Sequence, residues 1–419
     1  MSSVSFVRSV QSLGPKNTTR SFTILLFFIF ALYMNAQKSP AKEIVIGTID
    51  SLYSEILQEQ REIWIQVPND DDASKKYPII YVLDASQHFH VITAMQKRLT
   101  PWQTPKAIIV GITNTDRMRD FTPTNVSFSR GRKTEASGGA DTFLKFLKEE
   151  LEPFLITRYP TEQHTTIIGH STGGLFVLNS YLNEVDSFDN YIAIDPSLWW
   201  DKENLVSKTQ TLLNTGNRKE KSLYVAVANS LGKEMDTVKV RKKKSVPTEQ
   251  IRANLNFHDI LVKNKEKLTF SWEYFKDEDH GSITIPAQYN GLRDVFSWFL
   301  FPEMWRFNTP KKFSAKELTA PYYAHYEKLS ARMKREVKPD WDLVNDIGMY
   351  MLEGHKLPKK ALAYLEMNIH FYPNESKSYV ALGDFYYFQK DKKEAEIQYQ
   401  KAIAIDGNQS AKDKLKGLK

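Results

Sequence analysis

The 419-residue sequence contains no cysteine. That absence excludes disulfide frameworks, thiol nucleophiles, Cys-ligated zinc, iron–sulfur clusters and a lipidated N-terminal cysteine. Glycine and proline are sparse, at 18 residues each, which excludes collagen-like and low-complexity chains. Charge of one sign is also scarce: 57 basic residues face 50 acidic ones, for a net of +7. Nucleic-acid-binding proteins cluster their basic residues more densely, so no nucleic-acid partner is expected. Against these shortages stand 41% hydrophobic and 12% aromatic residues, enough for a large core, in a chain longer than one ordinary domain of about 100–200 residues.

Long hydrophobic runs are nearly absent too. The one that stands out is Phe22–Met34, preceded by Arg8, Lys16 and Arg20 and followed by Asn35-Ala36-Gln37, with no acid in the first 36 residues. A 13-residue run falls short of the roughly 20 residues needed to span a bilayer, so residues 1–36 read as a cleaved signal peptide. Met34 departs from the small residue preferred three positions before such a cut. The expectation is an exported protein, periplasmic or secreted, with no stable membrane span after cleavage.

From about residue 44 to 300, β-branched or aromatic runs alternate with amphipathic stretches. Strands are expected at Ile44–Thr48, Glu62–Val67, Pro78–Leu83, Ala107–Ile112, Thr165–Ile168, Tyr191–Ile194, Leu223–Ala228 and Leu268–Tyr274. Several are almost continuously apolar, as strands buried on both faces of a parallel sheet are. Helices are expected at Asp141–Leu155, Gly174–Leu182, Ile251–Asn264 and Tyr289–Phe299. The alternation predicts an α/β fold with helices on both faces of a mostly parallel sheet.

The pattern ends near Phe301-Pro302. A charged linker at 306–340 holds one helix at Tyr322–Arg335, and the last 75 residues repeat. Ala361-Leu362-Ala363-Tyr364-Leu365 matches Ala395-Glu396-Ile397-Gln398-Tyr399 at a shift of 34, as Tyr372-Pro373-Asn374 matches Asp406-Gly407-Asn408; Gly348 matches Gly383 at 35. A 34-residue period predicts tetratricopeptide-like helical repeats at 341–419. Two repeats bury too little core to stand alone, so they are expected to stack on the linker helix or on the domain at 37–305. A protein partner or a homodimer is a conceivable use of such repeats.

The strongest chemical signal is Ile168-Gly169-His170-Ser171-Thr172-Gly173-Gly174, between a buried strand and an apolar helix. In that context G-x-S-x-G forms a nucleophile elbow, a strained turn that presents the Ser171 hydroxyl to solvent near a positive helix end. Serine needs a base. Of the nine histidines, only His258 and His280 come late enough in the domain, and His280 lies on a loop after the last strand whereas His258 falls within a predicted helix. The acid is expected after the strand Leu223–Ala228, at Asp236 or Glu234; a Ser–His dyad, Asp277 and Asp279 are the alternatives. Two backbone N–H groups should form an oxyanion hole, one at Thr172 and one on the turn Asp84-Ala85-Ser86. Arg117 and Arg119 follow a strand end and are candidate substrate contacts, unless Arg119 pairs with Asp120. Lys239 and Arg241-Lys242-Lys243-Lys244 form a basic run beside the acid loop that either attracts an anionic ester or is solvated.

At these residues the chain resembles the putative-esterase (esterase D-like) family of α/β-hydrolases, which includes siderophore esterases, feruloyl esterases and S-formylglutathione hydrolases. The matching segments are Tyr77–Asp84, Arg117–Pro123, Gly138–Asp141, Gly169–Gly174, Pro196-Ser197-Leu198-Trp199-Trp200 and Asp279-His280-Gly281-Ser282. The resemblance implies an α/β-hydrolase fold and ester or thioester hydrolysis through an acyl-enzyme on Ser171, with neither metal nor organic cofactor. It places the second oxyanion donor at Ser86, although Ala85 stands where the family usually has glycine. Its siderophore branch tolerates a weak or absent acid, which leaves Asp236 open. An acyltransferase with the same intermediate, or a silent scaffold that binds through its helical repeats, are the rival readings.

Overall fold

The computed structural model describes residues 43–69, 75–134, 136–231, 235–333 and 335–418; the expected signal segment and Glu234 lie outside them. Residues 47–419 form one compact unit. Its sheet is built from β1 (Thr48–Ser54), β2 (Glu59–Gln66), β3 (Tyr77–Leu83), β4 (Ile108–Ile112), β7 (Thr161–His170), β8 (Asn190–Ile194), β9 (Arg218–Ala228) and β10 (Leu268–Phe275). A small separate hairpin supplies β5 (Phe128–Ser129) and β6 (Arg132–Lys133). The strand order in the large sheet is β1-β2-β4-β3-β7-β8-β9-β10, antiparallel from β1 to β4 and parallel from there on. This is the α/β-hydrolase arrangement, joined to an all-helical C-terminal region.

The continuously apolar strands are buried on both faces: every residue of β3, β4 and β8 is buried. Because successive strand side chains alternate, β3 divides its residues between two cores. Ile79, Tyr81 and Leu83 pack into one, and Ile80 and Val82 into the other.

Each expected strand overlaps an observed one, but β7 and β9 start four and five residues earlier than expected and the first shares only Thr48 with β1. Residues 44–47 carry no strand, and β1 starts at Thr48, where it can pair with β2 across the Glu55–Gln58 turn. The helix expected at 141–155 runs from Ala140 to Arg158 through a π-helical turn at Phe146–Leu151. Besides the short helices Arg117–Phe121 and Lys239–Lys242, two longer ones escaped the periodicity. In Ala85–Leu99 the buried face includes His88, Thr93 and Gln96, so polar residues occupy core positions and mask the apolar stripe. In Trp200–Leu212 few positions are buried and the first residues have left-handed backbone.

The C-terminal region comprises helices Ala315–Met333, Trp341–Met349, Pro358–Phe371, Ser376–Phe388, Lys392–Asp406 and Gln409–Leu418. Tyr322, Val344, Tyr364, Leu365 and Leu382 share a core with Phe301 and Phe307 from the end of the hydrolase portion. A Cβ at Gly383 would lie 2.5 Å from the Tyr399 ring, so only glycine permits that close helix crossing. Among the described residues, no helix is long and apolar enough to cross a membrane.

These helices dock on the end of the sheet where the parallel strands begin. Arg335 pairs with Glu162, the second residue of β7. Arg332 donates to Ser222, the register partner of the first residue of β8, and its guanidinium lies 4.4 Å from the Trp298 ring centre. Nearby, His164 accepts from Asn190 Nδ2 at 3.2 Å and turns Nδ1 toward Asp189 at 3.5 Å. Burial holds its pKa down, to about 4; Asp189 opposes the shift, and Arg332, Lys221 and Arg335 add to it. The folded pKa lies below the unfolded value of about 6.5, so the unfolded chain binds the proton more readily between these values. Stability is therefore expected to be intact above pH 6.5 and to fall as pH drops toward 4, by on the order of 2–3 kcal/mol from this residue. Urea midpoints across pH 4–7 should show a shallower decline in His164→Asn than in the parent chain.

Candidate active site

The parallel register pairs His170, the last residue of β7, with Ile194, the last of β8. Ser171 and Asp195 are therefore the next residue on each of two neighbouring strands. Both leave the sheet with positive φ, 61° at Ser171 and 39° at Asp195, a strained backbone that tight packing must hold. The Ser171 N–H donates to the Ile194 carbonyl at 2.9 Å, and the Asp195 N–H donates to the Ala226 carbonyl at 2.7 Å. Gly169 makes the elbow possible, since a Cβ there would sit 2.3 Å from the Gly173 carbonyl oxygen.

His280 comes to the same edge from the loop after β10. Asp279 shapes that loop by accepting from the Gly281 and Ser282 amides at 2.8 and 2.9 Å. The Asn229 amide at the end of β9 ties it down by donating to the Glu278 carbonyl at 2.8 Å. His280 Nε2 lies 3.1 Å from Ser171 Oγ, and Nδ1 lies 2.5 Å from Asp195 Oδ2. The Asp195 side chain is fully buried, and its other oxygen accepts from the Ala228 amide at 3.2 Å. A hydroxyl, an imidazole and a buried carboxylate thus stand in line.

His170 supports this line from behind. Its Nε2 donates to the His280 carbonyl at 2.8 Å, and the two rings lie 4.5 Å apart. Burial, with the nearby His280 and His88 rings, holds the His170 pKa down to about 4, so it stays neutral beside His280. Burial likewise lowers the pKa of His88.

Thr172 opens the helix Thr172–Asn183 and Ser86 lies in the first turn of Ala85–Leu99; amides so placed have no intrahelical acceptor. Arg117 joins the two helix starts. It makes a bidentate pair with the buried Asp84, Nε to Oδ1 at 2.7 Å and Nη2 to Oδ2 at 3.0 Å. It also donates to the His170 carbonyl at 3.0 Å and to the Thr172 hydroxyl.

Two expectations need correction. Asp236 does not meet His280: its exposed carboxylate accepts from the Val238 and Lys239 amides at 2.9 and 2.7 Å. Those bonds, that of Lys239 first, hold its pKa below the usual value. The carboxylate at His280 is Asp195, one strand earlier than the expected position. Arg119 does not reach the site either; it pairs with Asp120 and Glu59, both at 2.7 Å. Against the upward push of burial, bonds from Arg119, Thr115 and Arg61 hold Glu59 down to about 2. Of the basic run, Arg241 is bound to Asp259 at 2.6 Å. His258 sits on the helix Val246–Lys263 against Trp272, and Asp277 is exposed. A signal for Asp195 was present: an Asp-Pro step directly after the buried run Asn190–Ile194. Asp195 also lies between Ser171 and His280 in the chain, and only the strand it follows differs from the expectation.

Removing Arg117 would leave the buried Asp84 carboxylate without its bidentate partner. Arg117→Ala is expected to lower the unfolding free energy by about 1–3 kcal/mol, discounted for the partial exposure of the arginine. Urea denaturation at pH 7 should show the loss, and part of it should return in Arg117→Ala/Asp84→Asn.

Residues 54–276 match the putative-esterase family, a span that includes Ser171 and Asp195 and ends just before His280. The ferri-bacillibactin esterase BesA of Bacillus subtilis is 33% identical over 183 residues, 40% of this chain and 63% of that protein. The siderophore enterobactin esterase of Emericella nidulans is 29% identical over 252 residues, 53% of this chain and 83% of that protein. The chain thus spans somewhat less than two thirds of the Bacillus protein and most of the fungal one. Among solved structures, an IroE-like serine hydrolase from Shewanella oneidensis aligns with a TM-score of 0.64 at 28% identity, covering 78% of this chain and 99% of that one. With a match over more than half of its length, and with the sheet order and serine elbow described above, this chain belongs to the putative-esterase family.

Proposed function

We propose that the chain is an exported serine hydrolase of carboxylic esters that acts through an acyl-enzyme on Ser171, with siderophore-type esters as its substrate class. The observation that carries this reading is the line Ser171 Oγ–His280 Nε2 at 3.1 Å and His280 Nδ1–Asp195 Oδ2 at 2.5 Å. The buried Asp195 carboxylate orients the ring with its proton on Nδ1, leaving Nε2 free to accept the serine proton, and stabilises the imidazolium that follows. Ser171 Oγ then attacks the ester carbonyl. The amides of Thr172 and Ser86 receive the oxyanion at two adjacent positive helix ends held together by Arg117. His280 returns the proton to the leaving alkoxide, then activates the water that releases the acid.

The names of the Bacillus and Emericella relatives support the substrate class. The basic and then apolar N-terminus supports export. The C-terminal helices, with their 34-residue sequence period, are read as tetratricopeptide-like repeats at 341–419. Their attachment at the strand-start end supports a binding or assembly role for them, not one as a lid.

The test uses residues 37–419 with a fluorophosphonate probe and a series of aryl esters. Ser171→Ala is expected to abolish both labelling and turnover; full activity in that variant would end the proposal. Asp195→Asn should lower kcat about 10³–10⁴-fold, because the imidazole loses the partner that fixes its tautomer, whereas Asp236→Asn should remain within about twofold. Product analysis with an added acceptor alcohol separates hydrolysis from acyl transfer.

A further inference from the structure

The turn that delivers Asp195 also delivers a second hydroxyl. Ser197 is buried, its Oγ lies 3.3 Å from Ser171 Oγ, and its amide donates to the Ser171 carbonyl at 3.0 Å. The turn is held from outside: Gln250 Nε2 donates to the Asp195 and Pro196 carbonyls at 2.8 and 3.1 Å, and Asn254 Nδ2 donates to the Pro196 carbonyl at 3.0 Å. Ser197 is thus fixed against the nucleophile through both backbone and side chain.

Proton counting sets the direction of the hydroxyl contact. His280 Nδ1 carries its hydrogen toward Asp195, so Nε2 can only accept, and it accepts from Ser171. Ser171 has one hydroxyl hydrogen and has committed it. In the contact with Ser197, Ser171 Oγ must therefore be the acceptor and Ser197 the donor.

We infer that Ser197 is a further catalytic residue, a hydroxyl donor to the nucleophile oxygen whenever that oxygen bears negative charge. The inference rests on the serine-hydrolase reading above. In acylation, the Ser171 hydrogen passes to His280 Nε2 while the Oγ electron pair forms the bond to the ester carbon. In deacylation, water gives a proton to His280 and attacks the acyl carbon, and collapse breaks the C–Oγ bond. The electron pair returns to Oγ, which takes the proton from His280. At each stage Ser197 donates a hydrogen bond to Oγ and keeps its own hydrogen. A donor aimed at developing charge acts as an oxyanion-hole donor does, here on the nucleophile side.

The experiment is burst kinetics with p-nitrophenyl acetate on residues 37–419, comparing the parent chain, Ser197→Ala, Ser197→Cys and Ser171→Ala. Ser197→Ala is expected to slow acylation and deacylation each by about 10- to 100-fold, with ester saturation and the urea midpoint little changed. Ser197→Cys, a weak donor of similar size, should fall between. Rate constants within twofold of the parent in Ser197→Ala would overturn the inference. If Ser197→Ala does not fold, Ser197→Cys decides by the same criterion. A silent Ser171→Ala beside a full-speed Ser197→Ala removes only the role of Ser197, whereas an active Ser171→Ala removes the hydrolase reading itself.

Discussion

The parallel register of β7 against β8, which pairs His170 with Ile194, decides where two neighbouring strands leave the sheet together. Ser171 and Asp195 follow at the same level. A shift of one residue in either strand would send every side chain of that strand to the opposite face and take the hydroxyl or the carboxylate out of line. The register in turn depends on apolar strands filling two cores at once, so a hydrophobic constraint spread over the whole sheet sets a polar geometry. The positive φ values at Asp84, Ser171 and Asp195 mark where that constraint is spent, at the exits of β3, β7 and β8.

Around these exits the polar groups hold one another in place. Arg117 ties the turn after β3 to the elbow after β7. Neutral His170 supports the His280 backbone. Gln250 and Asn254 fix the Asp195–Ser197 turn from the helix beyond it. The bidentate Arg117–Asp84 pair is charge-assisted and the others are ordinary hydrogen bonds, and together they restrain the whole edge. Asp195 shows the benefit: its carboxylate is fully buried yet bonded through both oxygens, so it can hold the imidazole without solvent competition.

The helical region stands apart from this chemistry. Its contacts through Arg332 and Arg335 fall where the parallel strands begin, while Ser171 and His280 lie where they end. At about 3.3 Å per residue, the ten residues of β7 separate the two ends by roughly 30 Å. The helices make these contacts far from the catalytic line.

Much of this was legible in one dimension. Continuous apolar runs identified the strands, because burial on both faces leaves no room for alternation. Gly169–Gly173 identified the elbow, because only that steric pattern lets a serine stand on so sharp a turn, and the loop after the last strand led to His280. What local pattern misled on was the acid. Asp236 follows β9, the strand before the one that leads to His280, yet its carboxylate folds onto the amides of Val238 and Lys239. The helix at Ala85–Leu99 stayed hidden because His88 and Gln96 occupy its core face. The sequence by itself determined the periodicity of the elements and the steric form of the elbow, both set by neighbours along the chain. Only the tertiary structure decided which carboxylate meets His280 and which hydroxyl meets Ser171, because those contacts join segments 85 and 26 residues apart through the pairing of strands.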